Sequence, residues 1–271
     1  MTAAPPIVLT VAGSDSGGGA GIQADLKTFQ AFGCFGTSAV TAITAQNTLG
    51  VTAVHPVPID VVREQLRAVA TDLRPAACKT GMLATAELVR TVAEALREHG
   101  LENVVVDPVM VATSGHRLLD EDAERVLRDE LVPLAALLTP NLDEAAILVG
   151  RSVDDRDGMR AAARELVERG AAAVLLKGGH LRTDELVDVL WDGREWNEWR
   201  RPKLQTTSTH GTGCTLSAGI AAGLAHGRPL REAVKDALDF VHRAIRSAPG
   251  YGSGHGPLNH LVAARATSEV G

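Results

Sequence analysis

The sequence predicts an α/β fold, a mostly parallel central sheet between two helical layers (α/β/α) with a hairpin at one edge. Three observations carry this reading. Short apolar runs recur along the chain, helical periodicities separate most of them, and glycines or polar residues follow the runs. The runs are residues 7–11, 38–43, 76–78, 104–106, 137–138 and 174–176, short and apolar as strands buried on both faces are. Between them, Ile59, Val62, Leu66 and Val69 keep to one helical face across 59–71, and Leu88, Val89, Val92 and Leu96 do the same in the next segment. Ser152, three residues before Asp155, reads as a capping box; Met159, Ala162, Ala163, Leu166 and Val167 then form a stripe that Gly170 ends. Residues 186–190 and 196–199, joined around Asp192 and Gly193, read as the edge hairpin. Strand and helix alternating at this spacing imply right-handed crossovers. No Pro/Ser-rich tract, charge block or repeat divides the chain, so a single domain over residues 1–271 is expected.

Composition narrows the function. With 45% hydrophobic and 22% charged residues the chain can bury a core, which excludes a disordered or collagen-like protein. A net charge of −6 and only 3% aromatic residues supply neither the basic footprint nor the stacking platforms of a nucleic-acid binder. A small-molecule partner is expected. Cys34, Cys78 and Cys214 are odd in number and too scattered for a disulfide framework or zinc cluster, and suit a reducing cytoplasm. No apolar run approaches the roughly 18 residues of a membrane span, and residues 1–6 lack signal-peptide character. A cytoplasmic protein without membrane partners is therefore expected.

Parallel sheets bind ligands beyond the carboxyl ends of their strands. Those ends carry Gly13-Ser14-Asp15 and the glycines after it, Gln46-Asn47, Lys79-Thr80-Gly81-Met82, Asp107, Asn141 with Glu144, and Lys177-Gly178-Gly179. Gly211-Thr212-Gly213-Cys214 precedes a small-residue helix over 216–225, and amides at such a terminus bind anions. Gly-Lys-Ser/Thr occurs nowhere, so this is no P-loop protein. Residues 19–24 satisfy G-x-G-x-x-A, but no acidic residue lies between Asp25 and Asp60, so the ribose-binding carboxylate of a dinucleotide site is missing. Phosphoryl transfer asks for charge neutralisation and in-line positioning. Asp107 and Glu144 are candidates to hold Mg²⁺, Lys177 to meet nucleotide phosphates, and the 211–214 amides to receive transition-state charge. Singly, each also reads as an ordinary structural residue: a turn cap, a first-turn acid, a solvated strand end, a glycine-rich helix entry.

Together these residues resemble the ribokinase-like superfamily, and within it the hydroxymethylpyrimidine/phosphomethylpyrimidine kinases of thiamine biosynthesis. The resemblance spans nearly the whole chain, through Ala12-Gly13-Ser14-Asp15, residues 18–27, Ala45-Gln46-Asn47-Thr48, Lys79 to Leu83, Asp107-Pro108-Val109-Met110, Thr139-Pro140-Asn141, Lys177 to His180 and His210 to Ser217. It implies a three-layer ribokinase-like fold and an enzyme that uses ATP and Mg²⁺ to phosphorylate the hydroxymethyl group of the aminopyrimidine, then to add a second phosphate. By that similarity Asp25 and Gln46 would hydrogen-bond the pyrimidine edge, with Gly13, Met82 and Val109 around the ring. Lys177, Asp107, Asn141 and Thr209 would serve the nucleotide, Glu144 and Asp107 the metal. Cys214, with Gly211, Thr212 and Gly213, would form the catalytic anion hole, Cys214 standing where many sugar kinases of the superfamily carry an aspartate base. Gly17 departs from the family's usual serine, and residues 113–117, with His116 and Arg117, are read as a flap over the phosphates. His255 and His260 are read as loop residues. A homodimer is compatible with the resemblance. A pyridoxine or pyridoxal kinase of the same superfamily and a non-catalytic pyrimidine-binding protein are the competing readings; retention of Asp107, Glu144, Lys177 and the 211–213 turn argues for catalysis.

Overall fold

The computed structural model describes residues 4–110, 119–179 and 185–264. Its centre is a 9-stranded sheet in the order β3-β2-β1-β4-β5-β6-β7-β8-β9. The strands are β1 (Ile7–Asp15), β2 (Phe35–Asn47), β3 (Gly50–Pro56), β4 (Ala77–Thr80), β5 (Val104–Val106), β6 (Leu137–Leu138), β7 (Val174–Lys177), β8 (Glu185–Trp191) and β9 (Trp196–Pro202). Strands β2, β1, β4, β5, β6 and β7 run parallel, while β3 at one edge and the β8–β9 hairpin at the other run antiparallel. The expected fold is therefore present.

Side chains alternate across the sheet, so adjacent strand residues feed opposite cores. Leu9, Val104, Val106, Leu138, Val174 and Leu176 join one core, with α2 (Ile59–Asp72), α3 (Ala86–Glu98), α4 (Glu121–Val126), α5 (Leu142–Val149) and α6 (Arg156–Glu168). Val8, Val105, Leu137 and Leu175 join the other, with α1 (Gly21–Ala31), α7 (Thr212–Ala225) and α8 (Leu230–Arg246). Helix α7 is apolar all round because it lies between the sheet and α8, where Ala233 and Ala237 press against Gly223 and Gly219.

Three local expectations need correction. The residue capping α6 is Asp155, whose carboxylate accepts the Gly158 amide at 2.8 Å, not Ser152; Asp155 already satisfies that terminus alone. The helix after Gly211 starts at Thr212 rather than 216. Strand β3 was invisible as an apolar run because most of it is exposed. The hairpin fell where expected: Asp192 accepts the Arg194 and Glu195 amides, and Trp191 stacks on Trp196 with ring centroids 4.5 Å apart.

From β1 the chain steps to β2 on one side and later to β4 on the other, so β1 and β4 flank the topological switch point. Beyond their carboxyl ends parallel sheets open a crevice. Helix α7 begins against it.

Candidate active site

The crevice is a cavity of about 890 Å³ lined by the ends of β1, β4 and β7, the turn after β5, the starts of α5 and α7, and one face of α8. At its centre is the start of α7. Gly211 has φ +85°, and a Cβ there would overlap the Gly19 carbonyl, so glycine alone lets the two loops meet. The Thr212 amide bonds the Thr209 carbonyl, and the Thr212 hydroxyl donates to the same oxygen at 2.7 Å. The Gly213 and Cys214 amides have no intrahelical partner and belong to residues that line the cavity. His260, read from sequence as a loop residue, is a latch: its Nε2 lies 2.9 Å from the Thr215 hydroxyl in the first turn.

Facing that turn is a cluster of charges. Lys177 Nζ lies 3.1 Å from Asp107 Oδ1 and 3.8 Å from Glu144 Oε2. Thr139 and Ser217 hydroxyls donate to the two Asp107 oxygens, each at 3.3 Å. Asn141 and Glu144 form a reciprocal capping box on α5, with Asn141 N donating to Glu144 at 2.8 Å and Glu144 N to Asn141 at 2.9 Å. The first-turn placement of Glu144 is thus real, and it aims the carboxylate at Lys177. Burial works against the Lys177 charge, but Asp107 and Glu144 outweigh it and hold the ammonium above its ordinary value. A charge pair near 4 Å is worth about 4 kcal/mol at an effective dielectric near 20, which is enough to do so. Burial pushes Glu144 up to about 7, with Lys177 opposing and Asp107 adding.

Cys214 stands at the same turn. Burial, set against the attraction of Lys79, pushes its thiol up to about 11. Burial thus favours the neutral thiol, which stands beside the free amides of the turn.

The other end of the cavity is shaped. Gln46, Met82, Val109 and Gly13 line it, Met82 Cε lying 2.8 Å from where a Cβ on Gly13 would stand. The Thr44 hydroxyl contacts Gln46 Oε1 at 3.1 Å, and Gln46 Nε2 lies 3.4 Å from His210 Nε2. His210 Nε2 is also 2.8 Å from Asp15 Oδ2. A ring nitrogen that donates to Asp15 cannot accept from Gln46, so the Gln46 amide hydrogens are left for a ligand. Asp15 further accepts the Gly17, Gly19 and Ala20 amides at 2.8, 3.0 and 2.8 Å. Burial raises its pKa, yet His210 and these amides prevail and hold it below the usual range. The glycine loop therefore spends its amides on Asp15 rather than on a phosphate.

Asp25 is the main correction. It is completely buried under the floor, is absent from the cavity lining, and pairs with Lys79 Nζ at 2.8 Å and the Thr10 hydroxyl at 2.6 Å. A carboxylate sealed in that way does not reach a ring edge. Every other expected site residue lines the cavity: Gly13, Gln46, Met82, Asp107, Val109, Asn141, Glu144, Lys177, Thr209 and residues 211–214. Asp15 and Lys79, placed by the sequence at ligand-facing strand ends without an assigned role, and His210, named there only within a motif run, line it too, as do Thr44, Asp188 and Arg201, which sequence reasoning did not single out. His116, Arg117 and the rest of the expected flap lie outside the described residues, as does His180.

Among the described residues no group of three or more His, Cys, Asp or Glu is arranged to hold a metal ion. Asp107 and Glu144 are hard oxygen donors lining the same cavity as the start of α7, and that set fits Mg²⁺, which commonly takes one or two carboxylates and completes its shell with water and phosphate.

A helix N-terminus and a lysine–carboxylate cluster meeting beyond the carboxyl ends of a parallel sheet define a site for phosphoryl transfer. The family model for phosphomethylpyrimidine kinase matches residues 15–259, and the chain belongs to that family. It is 52% identical over 95% of its length to the thiamine biosynthesis bifunctional protein ThiED of Geobacter sulfurreducens, spanning 52% of that longer protein. It is 48% identical to the hydroxymethylpyrimidine/phosphomethylpyrimidine kinase of Bacillus subtilis, with 94% of each chain covered. Among solved structures, the ADP complex of Bacillus subtilis pyridoxal kinase superposes with a TM-score of 0.89 at 39% identity, covering 94% of this chain and 97% of that one. Among the described residues no helix is long and apolar enough to cross a membrane.

Proposed function

We propose that this protein uses ATP to phosphorylate the hydroxymethyl group of 4-amino-5-hydroxymethyl-2-methylpyrimidine and then the resulting monophosphate, giving the diphosphate used to make thiamine. One observation carries the reading: a single cavity joins the start of α7 and the Lys177–Asp107–Glu144 cluster to an end lined by Gln46, Met82 and Val109. The greater identity to the pyrimidine kinases than to the pyridoxal kinase supports the aminopyrimidine over pyridoxal.

In this reading the ring lies against Met82 and Val109, and Gln46 donates its amide hydrogens to a ring acceptor. The hydroxymethyl oxygen is directed at the α7 turn. Lys177 contacts the phosphates as a point charge, Asn141 holds the start of α5 in place through its cap, and Thr209 holds the first turn of α7 through its carbonyl. When bound, Mg²⁺ held by Glu144 and Asp107 would neutralise phosphate charge. The Gly211, Thr212, Gly213 and Cys214 turn meets the charge that develops on the transferred group, with the Cys214 thiol as a donor beside the amides. A loose transition state asks for little base catalysis, so a protonated thiol is no obstacle. A homodimer and a cytoplasmic location belong to the same proposal, and sedimentation velocity tests the first.

The test is a MgATP-dependent mass-spectrometric time course with hydroxymethylpyrimidine, its monophosphate and pyridoxal offered in parallel. Sequential mono- and diphosphate from the pyrimidine is expected. Product from pyridoxal alone, or none at all, would overturn the proposal.

A further inference from the structure

One buried carboxylate beside the nucleotide end has no role in the chemistry above. Asp188 stands opposite Lys177 in the antiparallel pairing of β7 with β8, is 3% exposed, and lines the same cavity. Its Oδ1 accepts the Gly178 amide at 3.2 Å. Among the described residues its Oδ2 has no hydrogen-bond partner and lies 3.8 Å from Arg201 Nη1, which has none either. The other Arg201 amine donates to Asp239 on α8 at 3.0 Å. A carboxylate taken out of water is costly unless a cation and donors surround it. Burial accordingly pushes Asp188 up to about 6, against the Gly178 amide, Arg201 and Lys177.

The chain leaves β7 under tight constraint here. A Cβ on Gly178 would overlap the Val187 carbonyl, so the turn after Lys177 is pressed onto β8 and its amide is directed at Asp188. The turn follows directly on Lys177, whose ammonium meets Asp107 and Glu144.

We infer that Asp188 is a positioning residue for the nucleotide end: through the Gly178 amide it fixes the exit of β7 and with it Lys177, while Arg201 balances its charge and ties the hairpin to α8. The inference rests on the proposed role of Lys177 toward nucleotide phosphates.

Calorimetric titration with MgADP and, separately, with pyrimidine monophosphate tests it. Asp188→Ala is expected to weaken MgADP about tenfold while leaving the pyrimidine affinity unchanged. Asp188→Asn keeps an acceptor for the Gly178 amide and is expected to restore MgADP binding to within about threefold of wild type, a rescue that a merely structural role does not produce. Should the alanine variant not fold, Asp188→Leu with Arg201→Met removes the buried pair as a unit, a change folds commonly tolerate, and the same tenfold loss is expected. Wild-type MgADP affinity in a folded Asp188→Ala or double variant, equal losses for both ligands, or an asparagine variant as weak as the alanine one would overturn the inference. Failure of the wild-type protein to bind MgADP would overturn it together with the kinase reading.

Discussion

Two lysines stand near the strand ends of the same sheet, two strands between them, and they do different work. Lys79 in β4 and Lys177 in β7 each pair with an aspartate, at 2.8 and 3.1 Å. Both lysines line the cavity, but the first pair is sealed from solvent, with both side chains 0% exposed, whereas Lys177 in the second is 16% exposed. Burial works against both ammonium groups, and their carboxylate neighbours hold both above the ordinary lysine value. Charge state therefore does not separate them, and access does. A sealed pair fixes the packing of β4 against α1, whereas an open one can exchange part of its carboxylate contact for a phosphate. Residue type is the same in both places, so the three-dimensional setting assigns the roles.

The comparison breaks most visibly at Lys177. Lys177→Ala should lower kcat/KM for every acceptor by about two to three orders of magnitude, as loss of a transition-state charge contact does, and should also lower the melting temperature by leaving Asp107 and Glu144 buried without their cation. Steady-state kinetics with pyrimidine and pyridoxal, beside thermal denaturation, check both halves. At the sealed pair the emphasis reverses: Lys79→Met alone strands Asp25 and should cost about 3–5 kcal/mol of stability in chemical denaturation, while adding Asp25→Leu should recover most of it.

The end lined by Gln46 sharpens the same contrast. Gln46→Ala should raise the pyrimidine KM about tenfold and leave the ATP KM alone, because one ligand hydrogen bond is lost and no charge is moved. Equal losses for pyrimidine and pyridoxal would sink the edge-reading role. The smallest effect is a pH slope. Burial holds folded Glu144 at about 7 against an ordinary 4.5, so between those values the folded protein keeps a proton that the unfolded chain has released. Its contribution to stability therefore falls as pH rises from about 4.5 to about 7. Melting temperatures of metal-free Glu144→Gln should decline less over that window than those of wild type. Asp15, held below 3.8 by His210 and the loop amides in spite of burial, works the other way and loses its contribution as pH falls.

The parallel strands were legible because strands covered on both faces must be short apolar runs, and the residues that follow them define where ligands bind. Nearly all the cavity lining named from sequence came from that one rule together with the family resemblance. What escaped shares a cause: β3 is exposed and carries no apolar signal, and Ser152 was a plausible cap that Asp155 displaced. Contacts across long stretches of chain were likewise hidden. Asp25 meets Lys79 across 54 residues, and His210 meets Asp15 across 195. No local pattern announces such a pairing, and the direct ligand contact expected of Asp25 failed for that reason.

The division of labour between the two lysines is tested most directly by single-turnover transfer from MgATP to pyrimidine monophosphate, measured per folded molecule, in Lys177→Ala and in the Asp25→Leu/Lys79→Met double variant. The double variant should transfer within about threefold of wild type and Lys177→Ala about a hundredfold more slowly. A double variant as slow as Lys177→Ala would contradict the account, because the sealed pair would then take part in the chemistry it is held to support only from beneath.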